Sequence, residues 1–316
     1  MWCTADTGWS KAGTSILFWP WSCGATVLLY DGPFDAARRL ELLERHRITV
    51  FCAAATEFRQ LINEDFASHN LTALRLTVSA GESVNPKIVN RWSALTGGLL
   101  LDGYGQTETL MTVMNYPAMP VKPGSMGRPL PGTEMTILND DGQIAETGET
   151  GRLALRCPNP QMMLGYWQAP ELTAEAHLTI NGIEWFITGD TATIDADGYF
   201  FYVGRADDII NSAGYRIGPM EVENALMAHT AVRECAATAS PDADRGEVVK
   251  AVIILNSGFI GSEALTKELQ TFAKSLTAPY KHPRRIDYVE ALPKTMSGKI
   301  LRRRLRDQEF SNGEST

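Results

Sequence analysis

GRADDIINSAGYRI, residues 204–217, decides how the chain divides, because it packs charge, glycine and apolar side chains into one joint between two differently composed halves. Before it, Asp195-Ala196-Asp197-Gly198 separates ATI from YFFYV, two β-rich runs that predict a hairpin. After it, Pro219 opens the helical pattern EVENALMAH, where the fixed φ of proline suits a first turn. Between them, Arg205, Asp207 and Asp208 suit a solvated crossing, and Ile209 and Ile210 dock the strand that follows. An ordinary surface linker has the same composition, so the rest of the chain must decide.

Upstream, short apolar runs alternate with helical patterns. ATVLLY (25–30), ITVFCAA (48–54), LRLTVSA (74–80) and LLLD (99–102) predict strands. AARRLELLERH, TEFRQLINEDF and PKIVNRWSAL repeat their apolar residues at three- and four-residue intervals, as amphipathic helices do. Strand, helix, strand at this pitch predicts an α/β fold with a parallel sheet covered by helices. From about Val121 the texture changes to short strands and Pro/Gly turns, a small β-rich subdomain that ends in WFITGDTATIDADGYFFYVGR. Beyond the joint, VENALMAH, ECAATAS, VVKAVIIL, LTKELQTFAKSL and RIDYVEAL predict a compact α+β unit, closed by PKTMSGKILRRRLRDQEF.

Ligands collect at the carboxyl ends of parallel strands. Two glycine-bearing loops are expected there: Gly81-Glu82-Ser83, and GYGQTET from Gly103 through Tyr104, Gly105, Gln106, Thr107 and Glu108. Glycine admits a ligand to the backbone, threonine offers a hydroxyl, and Glu108 offers a hard oxygen to a cation such as Mg²⁺. Helix N-caps at Ser83 and Thr107 would use the same residue types. Asp190, expected to follow a strand and a glycine, can accept hydrogen bonds from vicinal sugar hydroxyls or simply form a turn. Lys299 follows Ser297-Gly298 and can swing its compact charge toward phosphate or carboxylate oxygens. Arg302, Arg303 and Arg304 read as a solvated helix face.

Composition sets limits. The 316 residues suffice for two domains, and 44% hydrophobic with 21% charged residues is ordinary for a folded soluble protein. A net charge of -8 argues against general nucleic-acid affinity. From Lys281 to Arg306, however, nine Lys or Arg stand against Asp287 and Glu290, a basic end suited to an anionic small molecule such as a nucleotide. The five cysteines contain no CxxC pair and are expected to be reduced core thiols without zinc, in the cytoplasm. The five histidines show no metal-ligand spacing, the apolar run 16–30 is too short and broken for a membrane span, and the N-terminus has no signal-peptide pattern.

GYGQTET, TGD, GRADDIINSAGYRIGPMEVE and PKTMSGK, in this order, closely resemble the adenylate-forming superfamily of acyl-CoA synthetases, luciferases and peptide-synthetase adenylation domains. WCTADTGW, SAGES, RGEVVKA, TAPYK and PRRI look most like its medium-chain acyl-CoA synthetases, over essentially the whole chain. The resemblance implies activation of a carboxylic acid with ATP to an acyl-adenylate, then transfer to coenzyme A. It implies Tyr104 against adenine, Thr107 near the α-phosphate, Mg²⁺ on Glu108, and Gly81, Glu82 and Ser83 in the adenine pocket. Asp190 and Arg205 would bind the ribose, with Arg216 also at the nucleotide. Asp207 would be the hinge, Gly214 and Tyr215 would face CoA, and Lys299 would bridge the acid and the α-phosphate. The implied domains are residues 1–204, with a sheet region 1–115 and a β-rich subdomain 116–204, then a hinge at 205–208 and a mobile C-terminal domain at 209–316. The family's Ser/Thr/Gly-rich phosphate loop is not matched. That departure implies a chain beginning past the loop, poor adenylation alone, an exposed apolar surface near Trp19 and Trp21, and possible need of a chain supplying the N-terminal half. An adenylation domain serving a carrier protein, and an inactive or split form that binds nucleotide or a partner, remain alternatives.

Overall fold

The computed structural model describes residues 1–295 and 300–313. They form two compact units: Met1–Thr188 with Ala192–Tyr202, and Gly189–Thr191 with the chain from Val203 onward. The first unit is built on a sheet of β1 (Trp2–Cys3), β2 (Val50–Ala53), β3 (Leu76–Ala80), β4 (Leu100–Gln106), β5 (Leu110–Met114) and β6 (Arg128–Pro129), hydrogen-bonded in that order. The strands from β1 to β4 run parallel, and β5 and β6 are antiparallel additions.

Helices Ala36–Arg45, Ala55–Leu61 and Pro86–Thr96 connect the parallel strands as the periodicity predicts. Asp35 caps the first by accepting from the Arg38 N–H at 2.7 Å. In the third, Asn85 accepts from the Lys87 N–H at 2.9 Å, Pro86 occupies the first turn, and Gly97 ends it in the left-handed region at φ 68°. The buried faces meet in an aromatic core of Phe51, Phe58, Phe66 and Trp92, with Trp92 edge-on to Phe58 at 4.9 Å. Each such pair adds about 1 kcal/mol beyond area burial. The Trp92 indole N–H donates to Thr77 Oγ1 at 3.2 Å, so its one polar atom is satisfied.

Two expectations fail here. ATVLLY is no strand: only Leu28 makes a bridge, to Trp2, and the strand beside β2 is the two-residue β1. Of the cysteines, Cys3, Cys52 and Cys235 are buried but Cys23 is exposed. The stretch from Gly13 to Ser22 is helical, and it leaves Phe18, Trp19 and Trp21 at 68%, 46% and 58% exposure. That apolar surface matches the expectation for the Trp19 and Trp21 region.

A second sheet comprises β7 (Met135–Leu138), β8 (Gly151–Arg156), β9 (His177–Ile180), β10 (Ile183–Ile194) and β11 (Phe200–Arg205), in the order β11-β10-β8-β7 with β9 on β10. The hairpin expected at 195–198 joins β10 to β11: Asp195 Oδ1 accepts from the Asp197 and Tyr199 N–H groups, and Gly198 takes φ 79°.

The second unit is a sheet of β12 (Ile210–Ser212), β13 (Tyr215–Ile217), β14 (Val232–Asp242), β15 (Gly246–Leu255) and β16 (Arg285–Tyr288), with β16 parallel to β15. Helices Pro219–Met227 and Glu263–Leu276 pack Val222, Leu226, Leu265 and Leu269 on Val249, Ala251 and Ile253. Val252 and Ile254 face the other way, onto Leu292 and Leu305. Coverage of both faces explains why β15 reads as a mainly apolar run, interrupted at Lys250.

The arginine run is corrected. Helix Arg302–Gly313 presents Arg303 to solvent, but Arg302 is largely buried and grips Glu223 with two bonds of 2.9 and 2.7 Å. Glu223 also accepts from the Ala237 N–H at 2.9 Å. A pair so shielded is costly to break, because its surviving partner keeps an uncompensated charge. Glu223→Ala is therefore expected to destabilise the second unit by about 3 kcal/mol, the low end for such pairs because Arg302 retains some solvent. Chemical denaturation of wild type and variant at one pH measures it.

Candidate functional site

Parallel pairing sets Ala53 beside Ser79 and Ala80 beside Gly103, so the loops after β2, β3 and β4 leave one edge of the sheet. They interlock there. Glu82 accepts from the Thr56 N–H at 3.2 Å and hydroxyl at 2.6 Å. Gly81 takes φ 94°, and a Cβ on it would lie 2.6 Å from the Trp9 ring, so glycine is required for both reasons. The next residue, Ser10, places its hydroxyl 2.9 Å from that of Thr107. Trp9 and Ser10 therefore touch both glycine-bearing segments, Gly81-Glu82-Ser83 and the segment after β4.

The second segment is not the loop that its glycines suggest. Residues 103–106 continue β4, and only 107–109 turn before β5. A Cβ on Gly105 would lie 2.0 Å from the Leu110 carbonyl oxygen, so the antiparallel return of β5 excludes a side chain there. Tyr104 is buried, its ring 6.4 Å from that of Tyr202. Gln106 donates to the Thr188 carbonyl at 2.8 Å. Glu108 sits at the turn, held by the Tyr166 hydroxyl on Oε1 at 3.1 Å and by its own carbonyl, which accepts from the Met163 N–H at 2.7 Å. Neither Ser83 nor Thr107 caps a helix: Asn85 does so in the first case, and no helix follows the second.

Asp102 was not singled out by the sequence, where it reads as the polar end of a strand. It is buried between the two segments and accepts from the Val84 N–H at 3.2 Å and the Gly103 N–H at 2.9 Å. Burial pushes its carboxyl up to about 7, against those two bonds and the positive charge of Lys11.

The second unit carries the other predicted residues. Asp190 lies inside β10 rather than after a strand, and is buried. Arg205 Nη1 is 3.6 Å from Asp190 Oδ1, and its Nε is 3.4 Å from Asp207 Oδ1, with the guanidinium half exposed. Gly189, at φ 72°, keeps the space that Arg205 crosses. The carbonyl of Asp207 accepts from Arg306 at 2.7 Å. Gly214 and Ala213 both take positive φ in the tight turn between β12 and β13. Tyr215, half exposed, stacks on Tyr280 at 4.1 Å, beside Lys281. Arg216 is half-buried in β13. Lys299, Ser297 and Gly298 lie outside the described residues. Among the described residues no cluster of three or more His, Cys, Asp or Glu is placed to hold a metal, and no helix is long and apolar enough to cross a membrane.

The interlocked loops lie at the carboxyl edge of a parallel sheet, where α/β proteins collect their ligands. Comparison with known proteins narrows the class: the AMP-binding enzyme profile matches residues 1–167 and the AMP-binding enzyme C-terminal domain matches residues 221–299, and the chain belongs to the AMP-binding enzyme family. It is 45% identical over 318 residues to the mitochondrial acyl-coenzyme A synthetase ACSM3 of Rattus norvegicus, covering 98% of this chain and 54% of that one. It is 44% identical to the uncharacterized acyl-CoA ligase YtcI of Bacillus subtilis, covering 98% and 58%. The chain thus spans about half the length of the curated relatives it matches. Among solved structures it resembles the anthranilate CoA ligase AuaEII in complex with anthranoyl-AMP, with a TM-score of 0.88, 36% identity, and 99% and 60% of the two chains covered. A benzoate CoA ligase from Burkholderia xenovorans LB400 gives 0.85, 33%, 96% and 60%.

The shifted Asp102 carboxyl makes stability depend on pH. Its folded value is raised, so its contribution is full below about pH 4 and is lost as pH rises to about 7, where the folded protein must ionise it. Between pH 6 and pH 8 this group should cost the wild type on the order of 1 kcal/mol of stability, and Asp102→Asn should remove that part of the slope. Denaturant midpoints of both proteins at the two pH values measure it.

Proposed function

We propose that this chain forms the adenylate-handling part of an ATP-dependent acid–CoA ligase, acting on a medium-chain or aromatic carboxylic acid. One observation carries the reading: Trp9 and Ser10 join the Gly81 loop to the Thr107–Glu108 turn, so two glycine-bearing segments, a hydroxyl and a carboxylate meet at one sheet edge. In this reading Gly81, Glu82, Ser83 and Tyr104 receive the adenine, with Gly103, Gly105 and Gln106 shaping the strand beneath it. The Thr107 hydroxyl donates to the α-phosphate. Asp190 and Arg205 take the ribose hydroxyls, and Arg216 adds charge at the nucleotide.

Glu108 suits Mg²⁺, a hard cation that commonly uses one or two protein carboxylates together with substrate phosphates. When bound, the ion would offset the charge of the phosphates. The substrate carboxylate attacks the α-phosphorus and pyrophosphate leaves; Lys299 meets both anions and stabilises the charge that develops between them. The CoA thiolate then attacks the acyl carbon and AMP leaves. Two reactions at one place favour a moving domain, with Asp207 as the hinge and Gly214 and Tyr215 turned toward CoA. The Tyr215–Tyr280 stack with Lys281 offers a π-face and a cation for a nucleotide group.

The remaining length of the relatives would complete the acyl pocket and the hold on the β- and γ-phosphates, whether from a preceding segment or from a separate chain. The exposed Phe18, Trp19 and Trp21 supply an apolar surface for it. Pyrophosphate release from ATP and Mg²⁺ with butanoate, octanoate or benzoate tests the reading. The chain alone should release little, and adding the N-terminal portion of an ACSM3-type relative should raise acid-dependent release by about 10²-fold, lost again in Lys299→Ala. Robust release by the chain alone would remove the need for a second part. Release unaffected by Lys299→Ala would overturn the assignment of that lysine.

A further inference from the structure

The pairing of β1 with β2 sets Cys3 directly opposite Cys52 in parallel register. Neighbouring strands lie about 4.8 Å apart, and a disulfide requires Cα atoms about 4.4 to 6.8 Å apart, so the register meets the Cα spacing of the bond. Both side chains lie on the same face, in a cluster with Ala12 and Ile16. Both cysteines are buried, and the covering residues Met1, Leu17 and Val27 are only partly so.

The two sulfurs have different surroundings. The two thiols neighbour each other across the paired strands, and the positive charge of Lys11 acts on both. The neighbouring Cys3 thiol, with the charge of Lys11, outweighs burial and holds the Cys52 thiol below its ordinary range, while the Cys52 neighbour and burial raise that of Cys3. Burial raises the thiols of Cys157 and Cys235, with Glu184 and Glu223 respectively adding to the effect. The two thiols therefore differ in acidity, which favours Cys52 as the attacking cysteine and Cys3 as the resolving one.

We propose that Cys3 and Cys52 form a reversible dithiol–disulfide site that reacts with hydroperoxides, with Lys11 as the cation that holds the attacking thiolate. The Cys52 sulfur attacks one peroxide oxygen; the O–O bond breaks, a first water leaves and a sulfenic acid remains. The Cys3 sulfur then attacks that sulfenic sulfur, the S–O bond breaks and a second water leaves. Two thiols and one hydrogen peroxide give one disulfide and two waters.

The site is wired to the sheet edge. Lys11 Nζ also donates to the Ala80 carbonyl at 3.0 Å and lies 5.1 Å from the centre of the Trp9 ring. Ala80 precedes Gly81, against which Trp9 packs. Oxidation removes the anion that Lys11 faces and so changes the balance of forces on that loop.

The test uses the full chain with Cys23→Ser, which removes the exposed thiol. After hydrogen peroxide, the protein is alkylated and digested with trypsin without reduction. The expected product joins the N-terminal peptide ending at Lys11 to peptide 48–59, and a dithiol reductant abolishes it. Cys3→Ser should leave Cys52 as a sulfenic acid that a 1,3-diketone probe traps. Lys11→Met, which keeps both thiols, should slow disulfide formation about tenfold. Full alkylation of Cys3 and Cys52 after peroxide, or oxidation of Cys52 to sulfinic acid without the linked peptide, would overturn the proposal. An unchanged rate in Lys11→Met would overturn the role of the cation.

Discussion

Parallel pairing of β2, β3 and β4 is the constraint on which the first unit rests. Strands that share a direction send their following loops out of one edge, and the connecting helices must return along the faces. Thr56, Glu82, Val84 and Asp102 come together because their strands end in register, not because they are near in sequence. The aromatic core around Trp92 fixes the helices that make those returns, so hydrophobic packing on one side of the sheet determines where polar groups meet at its end.

Where burial and charge coincide, neighbouring groups compensate. Asp102 keeps two backbone donors and feels the field of Lys11. Arg39 is enclosed by Trp2, Tyr30 and Phe34, with Glu57 at 3.3 Å. Lys250 interrupts the apolar run of β15, and Asp287 and Glu309 meet it. These groups order their surroundings because an unpaired charge there would be costly.

Much of this was legible from sequence. The helices at 36–45, 55–61 and 86–96 announce themselves by three- and four-residue spacing, and β2, β3, β14 and β15 by short apolar runs. Other features carried no such signal. β1 is too short to show a period, so the sequence offered ATVLLY as the neighbour of β2, whereas that run pairs with the sheet only through the Leu28 bridge to Trp2. The glycines of GYGQ suggest a loop, yet they serve a tight antiparallel return in which side chains would collide with Leu110 and Met111. The burial of Arg302 depends on Glu223, 79 positions away, and no local pattern reports such a partner. Candidate site residues at glycine-bearing loops were legible, whereas Asp102, Ser10 and Tyr166 emerged only when the fold brought their partners together.

The distribution of the seven tryptophans has a spectroscopic consequence. Trp2, Trp92 and Trp185 are buried in apolar surroundings, while Trp19, Trp21 and Trp167 stand in solvent. Native emission is therefore a sum of blue and red components, and loss of the cores shifts only the first. Any partner that covers Trp19 and Trp21 moves the second toward the blue, so one fluorescence spectrum separates unfolding from association by the direction in which it moves.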